Sequence, residues 1–395
     1  MMTETSAKSA MELRSTSPVV WVLIFDRFPV DVASEESPES HVNGGLMPAA
    51  RHGNEGAFDR LDLASTCFEQ FLLQNVRSNI SSDEVFGGEP AFRKLAEAMT
   101  AAGQTASLVS LKAKGAVIAD HEDCNAMASS LRLCGLRSHT AISLDCSNRH
   151  ATAYSGDGSE HADHAFLANL IWMEARVASA ENAANAAKTI LDSVLRRLES
   201  HSTQEGHCPV LMVTFRTGDD GDVREPLKSG IGENRMHVPL WIQPHAGHAC
   251  RVQALAGSFD LLPTIETFLG SARASDEASP PDVAQIADSS ERVMTAGQQL
   301  LSVPRSLAFL CGAPQVCPDR LLQLCGDGWK GGRTEEFLLV MPESSQSATD
   351  KTEGDGDASE EPSRRLFVKP EDRYNVNDVS GTYATVSEEL ARLIN

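Results

Sequence analysis

Carboxylates that follow apolar stretches are the first residues in this sequence that could do chemistry. Asp26 follows the apolar run 19–25, and the acidic run GDDGD at 218–222 comes shortly after the apolar run 210–215. Carboxylate oxygens suit hard divalent cations such as Ca²⁺ and Mg²⁺, and a cation held in this way can act as a Lewis acid in hydrolysis. A run of Asp and Gly is, however, more often a solvated turn. The acidic run therefore has two interpretations, a ligand set and a turn.

Two histidine pairs have a spacing that permits metal chelation on one helical turn. His161 and His164 lie in the segment HADH, and His245 and His248 lie in HAGH. A zinc site needs at least a third protein ligand, and none is in view for either pair. Both pairs also lie in polar stretches that contain Gly or Ser. We therefore interpret all four as surface histidines.

The elements that must position such residues alternate along the chain. The run 19–25 has the composition of a strand that is buried on both faces, and segment 90–111 predicts a helix that ends at Gly103 and is followed by a strand. The Ala-rich segment 179–200 has a helical apolar stripe, and strand 210–215 follows it. This alternation predicts an α/β fold with a mostly parallel central sheet, whose function lies at the carboxyl ends of the strands.

Length and composition limit the class of protein. The chain has 395 residues with 41% hydrophobic content, enough for one large domain with a smaller appendage or for two ordinary domains. The formal net charge of -21 argues against nucleic acid and anionic membranes as partners, because like charges repel. The nine cysteines are scattered singly, with no CxxC pair, so we expect reduced thiols rather than a disulfide framework. The apolar run 19–25 is too short to span a bilayer, and we expect a cytoplasmic protein.

Composition shifts along the chain predict its domain organisation. We predict a disordered N-terminus at 1–17, an α/β domain at 18–270, a polar linker at 271–304 and a C-terminal subdomain at 305–395. Within the subdomain, SLAFLCG, RLLQLCG and EEFLLVMP are strand candidates for a short antiparallel sheet. The segment 342–364 has almost no apolar content, so it cannot offset the entropy cost of ordering, and we predict a disordered acidic insertion.

Six segments, in the same order along the chain, resemble the sulfatases of the alkaline phosphatase superfamily. HVPLWIQP at 237–244, followed by SFDLLPTIETFLG at 258–270, resembles the paired rVPl strand and vDlxPTlldlaG helix of that family. The other similar segments are VLIFDRFPVD, FDRLDLASTCFEQFLLQN, FRKLAEAMTAAGQTASLVS and RRLFVKPEDRYNVNDVS. The resemblance covers most of the chain from about Val19 to Asn395. It implies an alkaline-phosphatase-like sheet with helices on both faces, a small C-terminal α+β subdomain and, as family activity, hydrolysis of sulfuric esters.

The metal ligands that the resemblance implies are largely replaced. Asp26 matches the first metal-binding Asp of the family, but the next position, often a second Asp, is Arg27. The family strand ends in TxDHG or TxDNG, and the aligned TFRTG places Arg216 and Thr217 at two further ligand positions. A guanidinium would pair with the Asp26 carboxylate and compete with a cation. Lys228 matches the Lys of the family KxxxxE pattern, and the resemblance implies that it is a relict contact to the sulfate group.

The family nucleophile is also missing. It is a Cys or Ser in a CxPxR or SxPxR motif, whereas VRSNISSDEVFGG stands at that place, with Ser78, Ser81 and Ser82 but no Pro or Arg in the needed order. Cys67 precedes the matching strand, and we interpret it as a buried thiol. The family's central His is expected after HAFLANLIWM, where EARVAS follows instead.

We therefore expect a sulfatase-like pseudoenzyme without a cofactor, which binds a sulfated or other anionic ligand through Lys228 or binds a protein partner. The alternative is an active sulfuric ester or phosphoester hydrolase that uses Asp26, the acidic run 218–222, Lys228 and a Ser of SNISS with bound Ca²⁺ or Mg²⁺. A third hypothesis is a structural partner of an active family member. Under the first hypothesis, Asp26 and Arg216 should be neighbours at the carboxyl edge of the sheet, salt-bridged in place of the cation.

Overall fold

The computed structural model of this protein describes most of its predicted elements. The described residues are 18–26, 56–77, 80–112, 139–145, 153–154, 168–176, 183–205, 208–218, 233–244, 249–274, 304–311, 320–343, 364–369, 375 and 377–394. The predicted N-terminus 1–17 and nearly all of the acidic insertion 342–364 lie outside them, so those two predictions stay predictions.

Fifteen strands are present in the described residues. They are β1 (Val20–Phe25), β2 (Thr66–Phe68), β3 (Phe71–Leu72), β4 (Ala106–Lys112), β5 (His139–Asp145), β6 (Ala153–Tyr154), β7 (Leu170–Arg176), β8 (Val210–Phe215), β9 (Leu240–Gln243), β10 (Cys250–Val252), β11 (Ala256–Gly257), β12 (Leu322–Gly326), β13 (Trp329–Arg333), β14 (Phe337–Pro342) and β15 (Arg365–Val368). Nine of them form the central sheet, in the order β10-β2-β9-β8-β1-β7-β4-β5-β6, and only β9 and β6 run against the others. The predicted mostly parallel sheet is confirmed.

Helices cover both faces of this sheet and one face of the smaller C-terminal sheet. They are α1 (Ala57–Ala64), α2 (Ser82–Val85), α3 (Gly88–Ala101), α4 (Ala183–Glu205), α5 (Glu233–Met236), α6 (Leu261–Ala274) and α7 (Ala384–Ile394). Helix α4 buries the predicted stripe from Ile190 to Leu198, and Trp21 of β1 makes an edge contact with its His201. On the opposite face, Trp172 of β7 packs against Phe92 of α3. Among the described residues, no helix is long and apolar enough to cross a membrane.

A four-stranded antiparallel sheet, in the order β12-β13-β14-β15, forms the C-terminal part. One of its faces packs against α7 through Leu339, Leu366 and Leu390. Its other face packs Trp329 and Phe367 against Leu72, Met236 and Leu255 of the large domain. The small antiparallel sheet was predicted, and its apolar contact with the large domain makes the two parts one packed unit.

A buried polar cluster also joins the two parts. Asp260 is fully buried and accepts two hydrogen bonds from the Arg320 guanidinium, at 2.5 and 2.7 Å. Asp260 also accepts the backbone N–H groups of Gly257, at 2.9 Å, and Arg305, at 2.8 Å. The buried charge is thus matched by a bidentate cation and two donors. The vDlxPT-like segment therefore holds the C-terminal part against the large domain through Asp260.

One strand prediction is wrong. In SLAFLCG, residues Ala308–Leu310 form a 3-10 turn rather than a strand. The cause is tertiary, because the backbone N–H of Leu307 donates to the Thr264 hydroxyl at 2.8 Å and fixes the chain against α6.

Candidate functional site

The carboxyl ends of β7, β1 and β8 lie side by side at the centre of the sheet. Phe25 is level with Ala175 on one side and Phe215 on the other. The N–H of Asp26 donates to the Ala175 carbonyl at 3.0 Å, and the N–H of Arg216 donates to the Phe25 carbonyl at 2.8 Å. The backbones of Asp26 and Arg216 are therefore neighbours at this edge, as the sequence led us to expect.

Cationic residues occupy this edge on both sides of Asp26. Arg176 follows Ala175 at the end of β7 and is thus level with Asp26, and Lys112 at the end of β4 is paired in register with Arg176. Asp145, which ends β5, is level with Lys112. In strand register, the edge from β4 to β8 therefore runs Lys112, Arg176, Asp26 and Arg216.

An aromatic cluster fixes the strand ends beneath this edge. Phe25 and Phe215 are fully buried, and their rings stack with centroids 5.4 Å apart. Phe58 of α1 and Trp241 of β9 pack against Phe215 at centroid distances of 6.5 and 6.2 Å. Aromatic side chains bury large areas and have few rotamers. The packed rings therefore hold the backbone in place where Asp26 and Arg216 follow Phe25 and Phe215.

A buried carboxyl group, Glu174, lies two residues before Arg176 of the edge and was missed by the sequence analysis. Glu174 is in register with Ile24 of β1 and with Ser110 of β4, and it is 8% exposed. The Trp172 indole N–H donates to its Oε1 at 3.4 Å. The available signal was a charged residue directly after the apolar LIWM; the strand was taken to end at Met173, whereas it continues to Arg176.

The family resemblance implies a divalent cation at this edge, which would need oxygen ligands. Next to Asp26, the residue on β7 is Arg176 in register and the residue on β8 is Arg216. Within the residues that the structure describes, there is also no group of three or more His, Cys, Asp or Glu that could hold a metal ion. A guanidinium group offers donors only, so Arg216 is not itself a ligand for a metal ion.

Several predicted site residues lie outside the described part of the chain. These are Arg27, Lys228, Ser78, the acids of 219–222 and the two histidine pairs. Thr217 is described and half-buried, directly after Arg216. The N–H of Gly218 then donates to the Arg235 carbonyl at 3.1 Å, which ties the chain after β8 to α5.

Two of the nucleophile candidates, Ser81 and Cys67, have other roles in the structure. Ser81 caps helix α2, and its backbone N–H and hydroxyl both bond the Glu84 carboxylate, at 3.1 and 2.9 Å. Cys67 is 1% exposed, and burial, with a smaller contribution from Asp62, raises the pKa of its thiol to about 12. A thiol with such a pKa is protonated at neutral pH and is a poor nucleophile. The interpretation of Cys67 as a buried thiol therefore agrees with the structure.

Comparisons of sequence and of structure give different results. No known protein-family model matches this sequence, and no curated protein matches it. Solved structures do match over nearly the whole chain, among them the 2-O GAG sulfatase BT1596 (TM-score 0.54, 11% identity, 96% of this chain and 91% of that chain).

Two further solved structures also match this chain. BT4656, solved in complex with its substrate D-glucosamine-2-N,6-O-disulfate, has a TM-score of 0.53 at 11% identity and covers 96% of this chain and 97% of that chain. The phosphonate monoester hydrolase SpPMH from Silicibacter pomeroyi has a TM-score of 0.51 at 15% identity, with 95% and 93% covered. The chain thus has the alkaline-phosphatase-like fold of sulfatases, at identities that establish the fold alone.

Proposed function

We propose that this protein binds a sulfated or similar small anionic ester at the carboxyl edge of β4, β7, β1 and β8, without a metal ion and without hydrolysing it. The observation that carries the proposal is the position of Arg216. The backbone bond from Arg216 to Phe25 sets a guanidinium-bearing residue next to Asp26, where the resemblance implies a metal-binding acid.

Arginine suits this role chemically. Its planar group donates two parallel hydrogen bonds to the oxygens of a sulfate or phosphate ester. A fixed cation at the edge can thus hold the ligand group that a divalent ion would otherwise polarise. It cannot generate a hydroxide from bound water, which is what a metal ion supplies to hydrolysis.

Hydrolysis would further require a nucleophile, and two of the candidates have other roles. Ser81 serves as a helix cap, and Cys67 is buried with a raised pKa. Arg176 on β7 and Lys112 on β4 are paired in register on the next two strands. The proposal is therefore a binding protein on a hydrolase fold, and the predicted contact from Lys228 would add to the same edge.

The test is equilibrium binding of 4-nitrophenyl sulfate by calorimetry, in buffer that contains EDTA. We expect binding with the chelator present, and we expect Arg216→Ala to weaken it by about tenfold or more, since a charge-assisted hydrogen bond contributes about 1.5–3 kcal/mol. Arg196→Ala, which removes an exposed arginine on α4, is the matched control and should leave the affinity unchanged. Binding that appears only when Ca²⁺ or Mg²⁺ is added would overturn the proposal.

A further inference from the structure

Glu174 is a buried carboxyl group whose place neither the sequence resemblance nor the proposed binding edge explains. It is 8% exposed in the middle of the sheet, between Ile24 on β1 and Ser110 on β4. A buried carboxylate is costly unless cationic or hydrogen-bonding groups are close to it. The Trp172 indole supplies one donor, at 3.4 Å.

The position of Glu174 relative to the binding edge is fixed by the strand register. Arg176 is two residues further along the same strand, and Thr214 on β8 is level with Glu174 through Ile24. Two residues of strand rise span about 7 Å. A ligand held at the carboxyl ends of β1, β7 and β8 would therefore lie on the order of 10 Å from this carboxylate.

We infer that Glu174 is a specificity-determining residue, which makes the edge discriminate between singly and doubly charged esters. The inference rests on the proposed binding function. Repulsion between the carboxylate and a bound anion is proportional to the charge of the anion. The carboxylate thus weakens the binding of a dianion, in free energy, twice as much as that of a monoanion.

The magnitude is large enough to measure. At an effective dielectric constant of about 20, one unit charge at about 10 Å changes an affinity by roughly tenfold. Neutralising Glu174 should therefore tighten the binding of a monoanion by roughly tenfold and that of a dianion by roughly a hundredfold. The selectivity between the two would shift by roughly tenfold towards the dianion.

The experiment compares 4-nitrophenyl sulfate with 4-nitrophenyl phosphate at pH 8, where the first carries one negative charge and the second carries two, because the second pKa of a phosphate monoester is about 6. Kd values for both ligands are measured with the wild-type protein and with Glu174→Gln. Thr214→Val, at the same level on β8, changes no charge and should leave the selectivity unchanged. Glu389→Gln on α7, an exposed site, controls for net charge.

The outcomes separate this inference from the proposed function. If neither ligand binds the wild-type protein, the proposed function fails. If both bind but Glu174→Gln changes the two affinities by the same factor, or by none, the inference fails while the binding function stands. Glu174→Met, neutral and similar in volume, replaces the Gln variant where that variant does not fold. If neither neutral variant folds, Glu174 serves the fold rather than selectivity, and the inference is overturned.

Discussion

Arg216 lies directly beside Asp26, because the N–H of Arg216 donates to the carbonyl of Phe25, the residue that precedes Asp26. Phe25 and Phe215, which precede the two charged residues, are stacked and fully buried. This pair of strand ends is where the family resemblance implies two metal-binding acids. One acid is present, and an arginine stands at the place of the other.

Arg216→Asp should reverse the charge preference of the edge. The substitution places two carboxylates on adjacent strand ends, an arrangement that favours a hard divalent cation. We expect the variant to lose affinity for 4-nitrophenyl sulfate and to bind Ca²⁺ with a Kd on the order of 0.1–1 mM, the range of weak protein calcium sites. Calorimetric titration with CaCl₂ checks this, and Arg196→Asp on α4 is the control. A variant that binds no more Ca²⁺ than the control would show that these two strand ends do not form a cation site.

Asp260→Asn should destabilise the protein strongly. The change removes the negative charge that the buried Arg320 guanidinium faces, and breaking a buried ion pair costs about 3–5 kcal/mol. The measurement is the midpoint of thermal unfolding. Glu266→Gln on α6 is the matched control, since Glu266 faces the exposed Lys94 at 4.0 Å, and exposed pairs contribute about 0–1 kcal/mol. Equal midpoints for the two variants would contradict the role of Asp260 in joining the C-terminal part to the large domain.

Stability should fall at alkaline pH because of two thiols, the buried Cys67 and the partly buried Cys311. Burial raises the pKa of Cys67 and of Cys311 from 9.0 to about 12. Above pH 9 the unfolded thiols lose their protons while the folded ones keep them, so the free energy of unfolding decreases as pH rises from 9 to 12. At pH 10.5 the loss is about 2 kcal/mol for each thiol, on the scale of 1.36 kcal/mol per pKa unit.

Urea unfolding at pH 8 and pH 10.5 measures this loss, and Cys67→Ala provides the internal comparison. The variant should lose less stability than the wild-type protein between the two pH values, by about 2 kcal/mol. An identical loss in both proteins would mean that Cys67 ionises as easily in the folded state as in the unfolded state.

Removal of residues 344–363 should leave the fold intact. Strands β14 and β15 on either side are paired antiparallel, with Val340 level with Arg365, so a short turn of two to five residues can connect them. The deletion should retain Glu343, which accepts a hydrogen bond from Arg77 at 2.9 Å. We expect the thermal midpoint to stay within about 4 °C of the wild-type value. A shift of that size corresponds to a change of roughly 1 kcal/mol in the free energy of unfolding. A much larger decrease would assign the segment a structural role.

Hydrophobic periodicity allowed much of the fold to be predicted from sequence. Strand β1 and the buried stripe of α4 follow from their apolar patterns, which burial imposes directly. Strand β13 was not predicted, because WKGGR contains two glycines and lacks a strand pattern. The fold requires Gly331, because a Cβ there would lie 2.4 Å from the Leu339 carbonyl oxygen, and a Cβ at Gly332 would crowd the Ile394 side chain at 2.5 Å. Such close approaches depend on neighbours distant in sequence, which periodicity does not encode.

The candidate site was predicted in part. Asp26, Arg216 and Thr217 could be placed at strand ends because apolar runs precede them. Glu174 and Arg176 could not be placed in the strand from sequence, because the apolar pattern of β7 stops at Met173. The pairing of β7 with β1 and β4 continues beyond that residue. The cationic edge emerges only from the register of four strands that are far apart in sequence.

The most direct test of the account is the metal content and turnover of the purified wild-type protein. Elemental analysis for calcium and magnesium, together with rates for 4-nitrophenyl sulfate and 4-nitrophenyl phosphate in the presence of both ions, measures what the edge holds. The account predicts substoichiometric metal and no turnover above the rate of the uncatalysed reaction. One equivalent of calcium or magnesium per chain, with metal-dependent turnover of either ester, would contradict it.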